Sequence, residues 1–434
     1  MYNRRDFDWI TAGTASLNSR RPSVLLVAAK WWPLTARLAI ALVRHRCRVR
    51  VVCPAGHMLT HISGLDRVDR YTGLDSLACL RRSLRDFEPD IIVPCDDGVV
   101  AQLHALHQHQ PSMRETIERS LGAPENYSIV SSRYKLLSTA MELGISVPKT
   151  AMVTRSEDLA RWHENGASAS VLKVDGESGG NGVKITRTLR DSVAAWRQLG
   201  ARRSFGAALK RMAIDRYPLA LWMRNNQADR EIIVQDFVRG RPANSMFACR
   251  QGKLLSMVSV AVVVSNGPIG AATIIRRIDN ESMSKAAELL AARLQLTGFY
   301  GLDFIIESAT DTPYLIEMNP RCTQLGHLEF PDQGSLAGVF SADLRNELPP
   351  APIRPINNAT IALFPQAGAV RQARYQYIDS SFYDVPWDEP QLVRELLLEP
   401  WPQRRWAARL YHSLRRIDKS EPVIFEDAHS VAGA

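Results

Sequence analysis

The sequence has no CxxC pair: its six cysteines, Cys47, Cys53, Cys79, Cys95, Cys249 and Cys322, are scattered. That spacing excludes a zinc ribbon and a disulfide scaffold and points to a reducing compartment. No apolar run is long enough to cross a bilayer. The longest, LLSMVSVAVVV at 254–264, falls well short of the ~20 residues a membrane helix needs. Residues 1–22 carry two Arg pairs but no continuous apolar core, so they read as a loosely held arm rather than a secretory leader. A cytoplasmic protein with no membrane partner is expected. Lysine is scarce, with nine in the chain, although Lys and Arg together number 54 and the net charge is +9. A basic balance raises nucleic acid as a partner. The arginines are spread along the chain, however, and no helix-turn-helix, zinc-finger or RNP signature accompanies them. No nucleic-acid partner is expected, and each lysine in a motif is harder to attribute to chance.

What is present is an ordinary globular composition, 45% hydrophobic and 23% charged over 434 residues, enough for two or three domains. The first third alternates strands (SVLLVAA, RVRVVCP, DIIVPCDD) with helices (LTARLAIALVRHR, DSLACLRRSLRDF, GVVAQLHALHQ). Such alternation implies a parallel sheet with helices on its faces. No GxGxxG follows the first strand, so the dinucleotide fingerprint is absent. Ligands of open α/β sheets lie at the strands' carboxyl ends, which makes Lys30, Trp31, Asp96 and Asp97 candidate pocket residues. A surface Lys, a packed Trp and helix-capping Asp residues account for the same positions.

From residue 124 the pattern changes to a smaller α+β unit: a Ser-capped helix closed by Gly144, a strand after Pro148, then ASVLKVDGESGGNGVKIT, a strand, a glycine-rich turn and a returning strand. NSMFACRQGKLLSMVSVAVVV reads as long antiparallel strands turning at Gln251-Gly252, followed by a helix over 282–296. The last residues carry a strand, ATIALFP, and a basic helix over 402–416.

The hairpin YGLDFIIESATDTPYLIEMNPR carries the chemistry. A turn centred on Thr310 sets Asp303 opposite Glu317, with Cβ atoms ~5 Å apart, and alternation puts Asn319 on the same face as Glu317. Two carboxylates held this close repel unless a cation neutralises them. Mg²⁺, bound by one or two carboxylates plus substrate phosphates, is the natural candidate. Upstream, the Gly-rich turn can wrap backbone N–H groups around phosphate; a mobile turn has the same composition. Lys173 enters it, and Lys135 lies on the preceding helix.

In this order, and in the EMNPR motif one hairpin after GLDF, residues 23–345 resemble the ATP-grasp superfamily of carboxylate–amine or thiol ligases. The resemblance implies a fold of α/β and α+β parts. A Rossmann-like domain at 23–123 precedes a two-subdomain ATP-grasp domain at 124–345, with a lid at about 148–232 and an extension at 346–434. It implies two Mg²⁺ ions, for which Mn²⁺ substitutes, held by Asp303, Glu317 and Asn319. ATP would be held by Lys135, Lys173, the loop residues Glu177, Ser178, Gly179, Gly180, Gly182 and Val183, and the hinge Gln235, Asp236, Phe237 and Val238. Arg321, Arg276 and Lys173 would serve the transferring phosphoryl group and the substrate carboxylate. Arg277 and His327 would join Lys30, Trp31, Asp96 and Asp97 at the substrates. The chain departs from the family in Asp236, where Glu is common after the hinge glutamine, and in Val174, where Pro often follows the strand Lys. It also lacks an acid past the hinge glycine for the ribose, which Asn244 or Ser245 would have to replace.

The activity implied is formation of an amide or peptide bond from a small carboxylate and an amine, through an acyl-phosphate. A bicarbonate-using carboxylating or carbamoyl-phosphate-type enzyme and a nucleotide-binding module without turnover are the alternatives. A homodimer is the default assembly.

Overall fold

Strand β1 (Ser23–Val27) is buried along its whole length, as a parallel strand covered on both faces must be. It pairs in parallel with β2 (Arg48–Cys53) and, on its other side, with β4 (Ile91–Pro94), while β3 (Arg67–Arg70) extends β2. The order is β3-β2-β1-β4. Helices Pro33–Arg44, Ser76–Phe87 and Asp97–His109 lie between the strands, as the alternation predicts. β3 escapes the sequence pattern because it is a short, polar edge strand, RVDR, with no buried residue. The computed structural model describes residues 20–166, 169–176, 182–201, 204–226, 230–369, 381–400, 404 and 423–425. Of the expected features, residues 1–19 of the arm, Glu177, Ser178, Gly179 and Gly180 of the glycine loop, and all of the helix over 402–416 but Arg404 lie outside the described residues.

The second sheet is antiparallel and small. Strands β5 (Thr150–Met152), β6 (Ser170–Val174), β7 (Val183–Thr186) and β8 (Ile232–Asp236) run in the order β5-β8-β6-β7. Helices Ser156–Glu164 and Leu189–Gly200 cover it, and Leu159, Trp162, Leu172, Leu199 and Val234 form its own apolar core. The hydrophilic stretch between the second of these helices and β8 contains two further helices, Phe205–Ala213 and Ala220–Asn226. Tyr217, Leu219 and Met223 pack them against the parallel-sheet domain.

The third sheet is the largest. β9 (Gly240–Arg250) and β10 (Lys253–Ser265) form the long hairpin expected from the sequence, turning at Gln251 and Gly252 with φ of 50° and 77°. β11 (Ala272–Arg277), β12 (Gly298–Glu307), β13 (Pro313–Asn319), β14 (Thr360–Leu363) and β15 (Ser381–Asp384) complete the order β13-β12-β9-β10-β11-β14-β15, and β16 (Val423–Ile424) pairs with β10. Helix Glu281–Leu294 packs on one face through Met283, Ala287 and Leu290. The other face shares a core with the parallel sheet: Leu26, Val49 and Leu38 join Met246, Val258, Val260 and Phe340. Parallel-sheet domain and large sheet are thus one packed body, while the small sheet has a core of its own. Among the described residues no helix is long and apolar enough to cross a membrane.

Candidate active site

Asp303 lies directly opposite Glu317 in the β12–β13 pairing, the register the turn at Thr310 predicts. The pairing is not uniform. Phe304 pairs with Leu315, so Ile316 is an extra residue in β13. A bulge of this kind re-aims side chains. Leu315 is driven into the core beneath, and both Ile316 and Glu317 line a cavity. Asp303 also pairs across the sheet with Asn244 of β9, so Asn244, Asp303 and Glu317 form one row, with Asn319 beside it.

That row forms part of the wall of a cavity of about 640 Å³. Asn244 and Asn319 each donate an amide N–H to Asp303, at 2.6 and 3.0 Å. Even so, burial and the neighbouring Glu317 push the Asp303 carboxyl up to about 6, as desolvation and a like charge do to an acid. Glu317 accepts from the Arg133 guanidinium at 2.5 Å. Lys173, 5% exposed, donates to the carbonyl of the bulged Ile316 at 3.1 Å. Burial lowers its ammonium to about 8, with Glu317 acting in the opposite sense. Arg321 donates to Asp97 at 2.8 Å and to the Asn319 side-chain oxygen at 3.0 Å, and the pairing with Asp97 holds it charged.

Whether these residues fit Mg²⁺ follows from the donors. Among the described residues no three His, Cys, Asp or Glu side chains cluster as a complete metal cage. Two carboxylates and a carboxamide offer oxygen only, and Glu317 adds to burial in raising the Asp303 carboxyl. That set fits a cation which retains waters and takes its remaining ligands from phosphates.

Four expected positions are placed differently. Lys135 is exposed and does not line the cavity. Arg133, the first residue after the Ser132 cap of helix Arg133–Glu142, does, and it is also bonded to Asp175 and the Val174 carbonyl. Arg277 makes a two-bond pair with Asp332, at 2.6 and 2.7 Å, and stacks over Phe330. His327 bonds Asp384 at 2.9 Å, sharing that carboxylate with Arg37, and ties β15 to the body. Arg276, in β11 between Ala261 and Thr360, lies outside the cavity lining. Distant segments decide Arg277 and His327, and the facing of its own helix decides Lys135.

The remaining candidates converge. Gly182, Val183 and Gln235–Val238 line one end of the cavity, and Lys30, Trp31 and Asp96 the other. At the first end, the Asp236 and Phe237 N–H groups donate to the Lys149 and Ala169 carbonyls, and the Phe237 side chain is exposed. At the second, Asp96 caps helix Asp97–His109 and accepts from Ala29 N–H at 2.7 Å, so it shapes the pocket as well as lining it. Asp97 reaches the site through Arg321. Sequence reasoning missed Arg133, Gln324 and the wall formed by residues 268–272 and 423–425. For Arg133 the available signal was its place directly after the helix cap.

Residues 218–324 match the family model described as ATP-grasp domain. No curated protein matches the chain. Solved structures with the same fold include N5-carboxyaminoimidazole ribonucleotide synthetase with ADP, 16% identical, covering 83% of this chain and 86% of that one with a TM-score of 0.56. The Staphylococcus aureus N5-carboxyaminoimidazole synthetase is 12% identical, at 83% and 87% coverage and a TM-score of 0.57. The biotin carboxylase domain of Hydrogenobacter thermophilus 2-oxoglutarate carboxylase is 11% identical, at 78% and 73% coverage and 0.55. At these identities the likeness is one of fold. The match assigns residues 218–324 to an ATP-grasp domain, and the solved structures share the wider fold, in which a parallel sheet precedes the two further sheets.

Proposed function

We propose that the chain is an ATP-dependent carboxylate–amine ligase. The observation that carries the reading is the Asp303–Glu317 pair on the cavity wall, with Lys173, Arg133 and Arg321 converging on the same face. The hinge Gln235–Val238 would take adenine, and Gly182 and Val183 would border the phosphates. Asp303, Glu317 and Asn319 would hold Mg²⁺, which supplies charge neutralisation to the phosphates.

In the first step a carboxylate oxygen of the acid bonds to the γ-phosphorus of ATP as the bond to the β–γ bridging oxygen breaks, releasing ADP. Lys173 and Arg133 would hold the phosphoryl oxygens, and the planar fork of Arg321, aligned by Asp97, suits the acyl-phosphate. In the second step the amine nitrogen bonds to the acyl carbon, the carbon–oxygen bond to phosphate breaks, and the nitrogen loses a proton. These steps need positioning and charge neutralisation rather than a covalent enzyme intermediate.

The test is ADP release with Mg-ATP and pools of carboxylic acids in the presence of hydroxylamine, which traps an acyl-phosphate as a hydroxamate. Hydroxamate from one pool, absent with Glu317→Ala, is the expected result. ATP binding with ADP release and hydroxamate from no pool would sink the ligase reading.

A further inference from the structure

We infer that the cavity end beyond Arg321 is the amine subsite and that it takes an apolar amino acid, or its amide, as the nucleophile. The inference rests on the ligase reading and adds the substrate class.

Two polar atoms at this end lack partners. Gln324, 8% exposed, lines the cavity, and its Oε1 is buried with no hydrogen-bond partner among the described residues. Trp31 lines the same cavity, and its indole Nε1 is likewise buried without a partner. A buried polar atom left unpaired keeps the full cost of its desolvation, so a pair of them, one acceptor and one donor, is the mark of a site completed by a ligand. Gln324 Oε1 calls for an N–H, and Trp31 N–H calls for an oxygen. The two arise from separate segments, the turn after β1 and the stretch after β13, and both line the one cavity.

The remaining wall is apolar: Trp32, Val262, Pro268, Ile269, Ala271, and Phe425. It is also held in place. The Phe425 N–H donates to the Val263 carbonyl at 2.9 Å, and β16 pairs with β10. In the 266–270 turn a Cβ on Gly270 would lie 1.7 Å from the Asn266 carbonyl oxygen, so only glycine permits that close return. The charged groups facing this end are Lys30, Asp96 and Arg321. Asp96 is committed to the Ala29 and Val99 N–H groups, and Arg321 to Asp97 and Asn319. A ligand with an N–H, a neighbouring carbonyl oxygen and an apolar side chain satisfies both orphans and covers the wall. An apolar α-amino acid amide or peptide N-terminus has all three. Its amine would lie beside Arg321, where the acyl-phosphate forms.

The test is calorimetric titration of the full chain, saturated with Mg²⁺ and AMP-PNP, with L-leucinamide, L-phenylalaninamide, glycinamide, L-lysinamide and 4-methylpentanamide, the last being leucinamide without its amino group. Leucinamide or phenylalaninamide is expected to bind at least about tenfold more tightly than glycinamide or lysinamide. It should also bind about tenfold more tightly than 4-methylpentanamide. Gln324→Leu should weaken leucinamide roughly tenfold, and Trp31→Phe, which removes the N–H and part of the indole's apolar surface, should weaken it at least as much. Binding of AMP-PNP by each variant reports that it is folded. Equal affinities for leucinamide and glycinamide, or no amide binding to a chain that holds AMP-PNP, would overturn the subsite. No binding of AMP-PNP by the wild type would overturn the ligase reading and this inference together.

Discussion

The two ends of the cavity come from different kinds of sequence. The end proposed for nucleotide is built from contiguous stretches, Gln235–Val238 and Gly182–Val183, beside the β12–β13 hairpin. The other end is assembled from the turn after β1, the segment after β13, residues 268–272 and the chain's last described strand, more than 100 residues apart at each step but one. The first end carries charge and repeats a family order; the second carries apolar surface and two orphaned polar atoms. What a cavity does with phosphate is thus written locally, and what it selects is written in the tertiary packing.

Several substitutions separate the ends. Glu317→Ala should have the largest effect, a loss of about 10²–10³-fold in ADP formation at saturating Mg-ATP, read by coupled assay with circular dichroism as the folding control. Arg133→Ala strikes the same group from the other side and should raise KM for ATP about tenfold or more; an unchanged KM would return the phosphate role to Lys135. The pH profile of Mg-ATP binding comes next. Asp303, raised to about 6, is charged above that pH, so cation binding should weaken as pH falls below about 6. Lys173, lowered to about 8, is charged below that pH, so phosphate binding should weaken as pH rises above about 8. Lys173→Arg, which does not titrate in this range, should remove the alkaline limb. The smallest effects belong to residues the fold removes from the cavity. His327→Ala should lower Tm by several degrees, because a buried Asp384 loses one partner, yet change kcat less than threefold. Arg277→Gln, at a surface pair, should shift Tm by no more than about 2 degrees.

Much of this site was legible in the sequence because its key feature is local. The Asp303–Glu317 pairing follows from a single turn, and the alternating strands and helices of residues 23–109 fix a parallel sheet. The register on the turn side of Asp303 was not legible. The extra residue Ile316 shifts every pair nearer the turn by one, yet the Asp303–Glu317 pair falls just beyond the shift. Arg277 and His327 misled because the acids that claim them, Asp332 and Asp384, belong to segments whose nearness no spacing encodes. Lys135 misled in another way: at the start of a helix, residues two apart face different directions, so a cation of the right kind two places away points to solvent. The helices at 205–226 were hidden because each is short, Phe205–Ala213 and Ala220–Asn226, and gives the apolar period few turns in which to repeat.

One consequence follows from the bonds of Lys173 and Arg133. In this structure the ammonium rests on the Ile316 carbonyl and the guanidinium on Glu317, Asp175 and the Val174 carbonyl. The chain therefore supplies its own acceptors, two carboxylates and two carbonyls, to the cations proposed for phosphate. On the proposed reading nucleotide entry would be an ion exchange: an incoming polyphosphate would take over Arg133 and Lys173 and leave the carboxylates to hold Mg²⁺. Free ATP can accept only half of that exchange. On that reading the arrangement would favour the metal–nucleotide complex over either component alone.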